Sequence, residues 1–180
     1  MRYLQEGGFQ NQPLMRLTLS FTLALLVGFW ATNCAMYFSR MSLSPASVAS
    51  YYNGSEADFR PPRSAESMLE TTHMHLPMMA MVLLFLTHLA LFVPMPRRAK
   101  VAFVVTAFSS AAVEEGAGWL VRFASPRFAL LKVLGFLGLQ ASLLFLVGVL
   151  ALFLASSGRR ALGRPREERP RGAAEEPALE

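Results

Sequence analysis

The sequence predicts an all-α integral membrane protein: a four-helix bundle with one outer loop and a disordered C-terminal tail. Two observations carry this. Apolar residues make up 53% of the chain and charged residues only 16%, against about 25% charged in soluble domains. Four apolar stretches, near residues 17–38, 74–93, 101–121 and 128–154, fill about half of the chain. Each is long enough to cross a hydrocarbon core of about 30 Å, which takes about 20 helical residues. Little is left over for a separate soluble enzyme domain.

Residues 1–16 read as a polar cytoplasmic arm with Gly7, Gly8 and Pro13. The first span has an apolar core of about 20 residues, longer than the 7–15 of a signal peptide. The residues after it, Tyr37-Phe38-Ser39-Arg40, are not a small-x-small cleavage site. It therefore reads as a retained anchor. Ala24, Gly28 and Thr32 recur on it at four-residue spacing, a small-residue stripe that would let another helix approach closely. Chance in an Ala/Leu/Gly-rich helix explains the stripe equally well.

Residues 39–73 form the outer loop. Ser44-Pro45 reads as an N-cap followed by proline at the first helical position, so a short interfacial helix is predicted near 45–52. Tyr51-Tyr52-Asn53-Gly54 ends it at headgroup level. Arg60-Pro61-Pro62-Arg63 is extended. Ser67-x-x-Glu70 reads as a capping box, which starts the second long helix near Met68 and puts Pro77 inside it as a kink. Pro94-Met95-Pro96 stops that helix. The third span ends on Trp119 and Arg122, and Ser125-Pro126 starts a tight hairpin into the fourth. Lys132, one turn into the fourth span, is placed to snorkel outward. From residue 156 the chain is Arg, Glu, Pro, Gly and Ala without apolar periodicity, the composition of a disordered tail.

Eleven of the 17 Lys and Arg residues flank one side of the spans and six the other. Positive-inside bias then puts both termini in the cytoplasm of a bacterial inner (cytoplasmic) membrane protein that crosses several times. The net charge of +5 comes largely from these flanking arginines. It is no sign of nucleic-acid binding. Cys34, alone in the chain, makes no intrachain disulfide.

Ionisable residues in the spans narrow the chemistry, because each costs about 2.5–3.5 kcal/mol to insert. All three histidines, His73, His75 and His88, fall in or at the mouth of the second span. At 100° per residue, Glu70, His73, Pro77, Met81, Leu84 and His88 share a face within roughly 60°, and His75 points about 200° from His73. His73 and His88 are separated by a rise of roughly 22 Å. Two histidines so spaced on one helix face resemble the pattern in membrane b-type cytochromes, where each ligates a different heme. That resemblance implies heme b, with His73 and His88 as ligands ahead of His75. The other spans contain no histidine, so a heme here needs a second copy, a partner subunit, or a Met or Lys ligand. Glu70-x-x-His73 also has the spacing of half a di-metal site, and His73-x-His75 could bind a transition metal at the rim. The alternative is that His88 hydrogen-bonds within the bundle while His73 and His75 are wet interfacial residues.

Glu114 and Glu115 lie about 10 Å below the outer end of the third span, level with Met81. Glu115 shares a face with Arg122, and Glu114 points towards His75, His73, Lys132 or the deeper Gln140. Such a cluster (Glu70, Glu114, Glu115, Lys132, Gln140) reads as a proton relay, an ion or quinol site, or a polar clamp between helices. Nothing resembles a nucleophile–base triad, a phosphate loop or a dinucleotide fingerprint, so no independent catalytic activity is expected. The sequence thus predicts a redox-linked or proton-handling accessory subunit with a heme b or quinol site, in contact with the lipid bilayer and with partner subunits or a second copy. The rivals are a non-catalytic scaffold or assembly factor, and a proton- or metal-coupled transporter.

Overall fold

The computed structural model describes residues 12–57 and 59–162. The predicted arm up to residue 11 and the tail from 163 lie outside the described residues. Five α-helices follow one another: α1 (Pro13–Arg40), α2 (Pro45–Asn53), α3 (Ala65–Ala90), α4 (Arg97–Phe123) and α5 (Ala129–Leu162), with a 3₁₀ turn at Pro126–Phe128 before α5. Helices are what a bilayer demands, since a spanning segment must satisfy its backbone polar groups internally. Three stretches, Pro13–Arg40, Ala65–Ala90 and Pro126–Ala155, are long and apolar enough to cross a membrane. α4 is the fourth long helix, at 27 residues. Its paired glutamates and terminal basic residues lower its hydropathy.

α1 begins four residues earlier than the predicted span, because Pro13 takes the first helical position. α2 is capped as the sequence predicts: the Ser44 side chain accepts from the Ser47 N–H. Gly54 ends it at φ 87, where a Cβ would lie 2.7 Å from the Arg60 carbonyl oxygen, so only glycine fits. Ser55 and Arg60 then pair as an isolated bridge, and the Arg63 N–H donates to the Tyr52 carbonyl at 3.0 Å.

α3 starts one turn before the predicted point. Its cap is Ser64, whose side chain accepts from the Ser67 N–H at 3.1 Å, not Ser67 with Glu70. Two serines three residues apart compete for the cap, and the one next to the Pro61-Pro62 break wins. The helix runs on through Pro77; the missing N–H there frees the His73 carbonyl. α5 extends to Leu162, taking in the first seven residues of the predicted tail.

α5 is the hub, packed against α1, α3, α4 and α2. Its closest partner is α4. A Cβ on Gly135 would lie 2.7 Å from the Glu114 backbone N, and one on Gly138 would lie 2.6 Å from Ser110 Oγ. Ala107, Ala111 and Ala117 are buried on the facing side. Small residues thus bring two backbones together, but in the α4–α5 hairpin. In α1, Gly28 has nothing within 4 Å of its would-be Cβ.

Two cores result. One, deep in the bundle, joins Leu19, Leu23, Leu83, Leu86, Ala107, Leu139, Leu143 and Leu146. The other, at the α2 end, joins Tyr37, Val48, Tyr52, Met68, Val121, Val133 and Phe136. Outside, Leu25, Met81, Leu84 and Leu152 are exposed, which costs nothing against lipid tails.

Candidate functional site

Between the two cores, α1, α3, α4 and α5 surround a cavity of about 220 Å³ that α2 and its following loop overhang. Its polar wall comes from adjacent carboxylates on α4. Consecutive helical residues point about 100° apart, so Glu114 turns to α5 and Glu115 to α3.

Glu114 forms an ion pair with Lys132, whose ammonium also donates to the Glu114 carbonyl at 2.8 Å. Both side chains are largely enclosed, 15% and 7% exposed. The Lys132 ammonium lies 5.9 Å from the centre of the Tyr52 ring, within cation–π range. Burial pushes the Tyr52 phenol up from its ordinary pKa, and the Lys132 charge offsets part of that rise. Lys132 therefore does not snorkel: its position one turn into α5 faces α4 and the roof, where Glu114 and Tyr52 compensate its charge.

Glu115 is held on the other side. The Thr72 hydroxyl donates to Oε1, and His75 Nδ1 lies 3.3 Å from Oε2. The Trp119 indole N–H donates to the Thr72 oxygen at 2.9 Å. Trp119, Thr72, Glu115 and His75 thus form one connected chain of polar groups. The carboxylate is 11% exposed and the imidazole 48%, so the exchangeable end of the chain is the histidine. Asn53 and Arg122 fasten the roof: Asn53 donates to the Val121 carbonyl at 3.2 Å, and Arg122 Nε to the Arg63 carbonyl at 2.8 Å.

Four of the predicted residues come together here: His75, Glu114, Glu115 and Lys132. Some pairings differ from expectation. His75 serves Glu115, not Glu114, and Arg122 is engaged by the loop rather than by Glu115. Glu115 meets α3 at Thr72 and His75, not at the level of Met81.

The face shared by Glu70, His73 and His88 is the exposed one. The His88 ring meets that of Phe92, in the turn that follows α3, edge-on at 5.6 Å. So it is His75 that faces the bundle. Gln140 is buried one layer deeper, where its carbonyl accepts from Trp30 at 3.2 Å and Cys34 Sγ donates to its side-chain oxygen at 3.5 Å. Among the described residues no three His, Cys, Asp or Glu side chains come together as a metal site.

Thr72 was not singled out in the sequence, and Tyr52, Arg63 and Trp119 were read there as loop and interface residues, not as part of the site. Thr72 lies three residues before His75, and Trp119 four after Glu115, the spacings that share a helix face. That signal becomes readable once the inward side of α3 is known.

Long apolar helices around a small cavity with a polar cluster on one wall define a polytopic helical membrane protein. Residues 42–161 match a family of transmembrane helical domains, Aq_1264_TM, over two thirds of the 180-residue chain, and the protein belongs to that family. The matched region takes in α2 to α5; α1, which walls one side of the cavity, precedes it. No curated protein and no solved structure matches the chain.

Proposed function

We propose that the protein is a proton-handling accessory subunit of the bacterial inner membrane, with both termini cytoplasmic, whose cavity takes the neutral ring of a bilayer-soluble quinol. The observation that carries this is the half-exposed His75 imidazole resting on an enclosed Glu115 carboxylate at the cavity wall. A carboxylate that hydrogen-bonds one imidazole nitrogen fixes the ring's tautomer and orientation. The imidazole nitrogen not facing Glu115 is then free to exchange a proton with a ligand hydroxyl. Aromatic and thioether side chains, among them Tyr37, Trp119, Phe136 and Met79, supply the apolar walls a ring needs. Heme b fits less well. His73 and His88 lie on the exposed face of α3, so a heme there would sit at the surface against a partner.

A scaffold role is the second reading, and the Glu114–Lys132 pair favours it by tying α4 to α5 through enclosed charge. Tryptophan fluorescence distinguishes the two. The chain has two tryptophans, and Trp30→Phe leaves Trp119 at the cavity. A short-chain quinone should quench it saturably, and His75→Ala or Glu115→Gln should weaken that quenching. Non-saturating quenching, identical in all variants, reflects partition into the micelle and favours the scaffold.

A further inference from the structure

Above the acid–imidazole pair, the cavity rim carries two guanidinium groups that the proposed function does not use. Arg40 closes α1, and Arg63 ends the extended segment before the Ser64 cap. Both converge on Tyr51 of α2. Arg40 Nη1 lies 3.4 Å from the Tyr51 hydroxyl oxygen, and the Arg63 guanidinium carbon lies 5.5 Å from the Tyr51 ring centre.

Like charges drawn to one tyrosine repel each other, and something must compensate them. Among the described residues there are two ion pairs, His75–Glu115 and Glu114–Lys132, and neither includes these arginines. Arg63 Nε is buried and has no hydrogen-bond partner among the described residues. A buried N–H is rarely left so in a finished structure.

We propose that Arg40 and Arg63 clamp the phosphate of an anionic phospholipid at the cavity rim. The residue type fits: the planar guanidinium fork matches phosphate oxygens two at a time, which a lysine does not. The level fits, because tyrosines favour the headgroup layer and Tyr51 and Tyr52 both lie in α2. The surroundings choose a lipid over a free ion. Below the rim, Met36 of α1 and Met78 of α3 are exposed and Phe29 of α1 is half-buried, an apolar surface along which acyl chains can lie. The lipid would close the mouth of the cavity over the polar cluster. This inference is independent of the quinol reading, since it rests on the rim arginines and not on His75 or Glu115.

The test is native mass spectrometry of the full chain released from micelles doped with phosphatidylglycerol or phosphatidylcholine. The wild type should retain phosphatidylglycerol about tenfold more than phosphatidylcholine, a difference of about 1.4 kcal/mol. Arg40→Gln should lower that preference, and Arg40→Gln with Arg63→Gln should bring it near parity. Arg97→Gln, at the other end of the bundle, should leave it intact. Arg40 is exposed, so its single variant carries the test should changes at Arg63 impair folding. No headgroup preference in the wild type, or a preference that survives in Arg40→Gln and the double variant, overturns the proposal. Displacement of the lipid by excess inorganic phosphate also overturns it, by making this a free-phosphate site.

Discussion

Replacing Lys132 with methionine keeps most of the side chain's length and removes its charge. The consequence follows from the enclosure of its partner. Glu114 is 15% exposed and Lys132 7%, so deleting the ammonium leaves a carboxylate with little water to turn to. The Glu114 carbonyl loses its 2.8 Å donor at the same time. Removing one member of a buried pair costs about 3–5 kcal/mol. The carboxylate keeps 15% exposure beside the cavity, which places the expected loss near the low end, about 3 kcal/mol. Loss of the ammonium over the Tyr52 ring adds about 0.5–2 kcal/mol. Glu114→Leu should be comparably damaging, because it strands the ammonium. The double variant should lose less than either single change, since apolar residues of similar volume replace a buried pair nearly without cost. The assay is unfolding in mixed micelles by SDS titration, with helicity followed by circular dichroism across the four-member cycle. Losses that simply add would refute the coupling and leave two independent polar contacts.

Other outcomes follow from the same geometry. Gly135→Ala should destabilise by about 1–3 kcal/mol, because its Cβ meets Glu114 backbone atoms at 2.7 and 2.8 Å. Gly148→Ala, with nothing within 4 Å, should be neutral or slightly stabilising in the same titration. His75→Ala should weaken quinone quenching of Trp119, whereas His73→Ala and His88→Ala, on the exposed face of α3, should leave it unchanged. In a Cys34→Ser background, cysteine at Ser55 should label with an impermeant maleimide from outside intact cells and cysteine at Ser157 should not. The reverse pattern defeats the proposed orientation.

The elements with local causes were legible in the sequence. Ser44-Pro45 and Ser125-Pro126 are cap-and-proline starts, and the structure places helical turns at both. Apolar length alone marks α1, α3 and α5. What resisted reading was the orientation of each helix about its axis. α3 is apolar nearly all round, so its pattern relates His73, His75 and His88 to one another without saying which side meets the bundle. That side is selected by long-range contacts, Leu83 and Leu86 in the deep core and Met68 beneath α2. The partner of Glu115 depended on the same choice. The α4–α5 contact was hidden for another reason: Gly135 and Gly138 look like ordinary composition until the facing Glu114 backbone and Ser110 side chain give them a purpose.

The central claim, a proton exchanged between the His75–Glu115 pair and a ligand in the cavity, is tested most directly by infrared difference spectroscopy as a bound quinone is reduced in the purified protein. The account predicts a change in the carboxyl and imidazole bands, with the carboxyl part absent in Glu115→Gln and the imidazole part absent in His75→Ala. A difference spectrum without either band, or one identical in both variants, would contradict it.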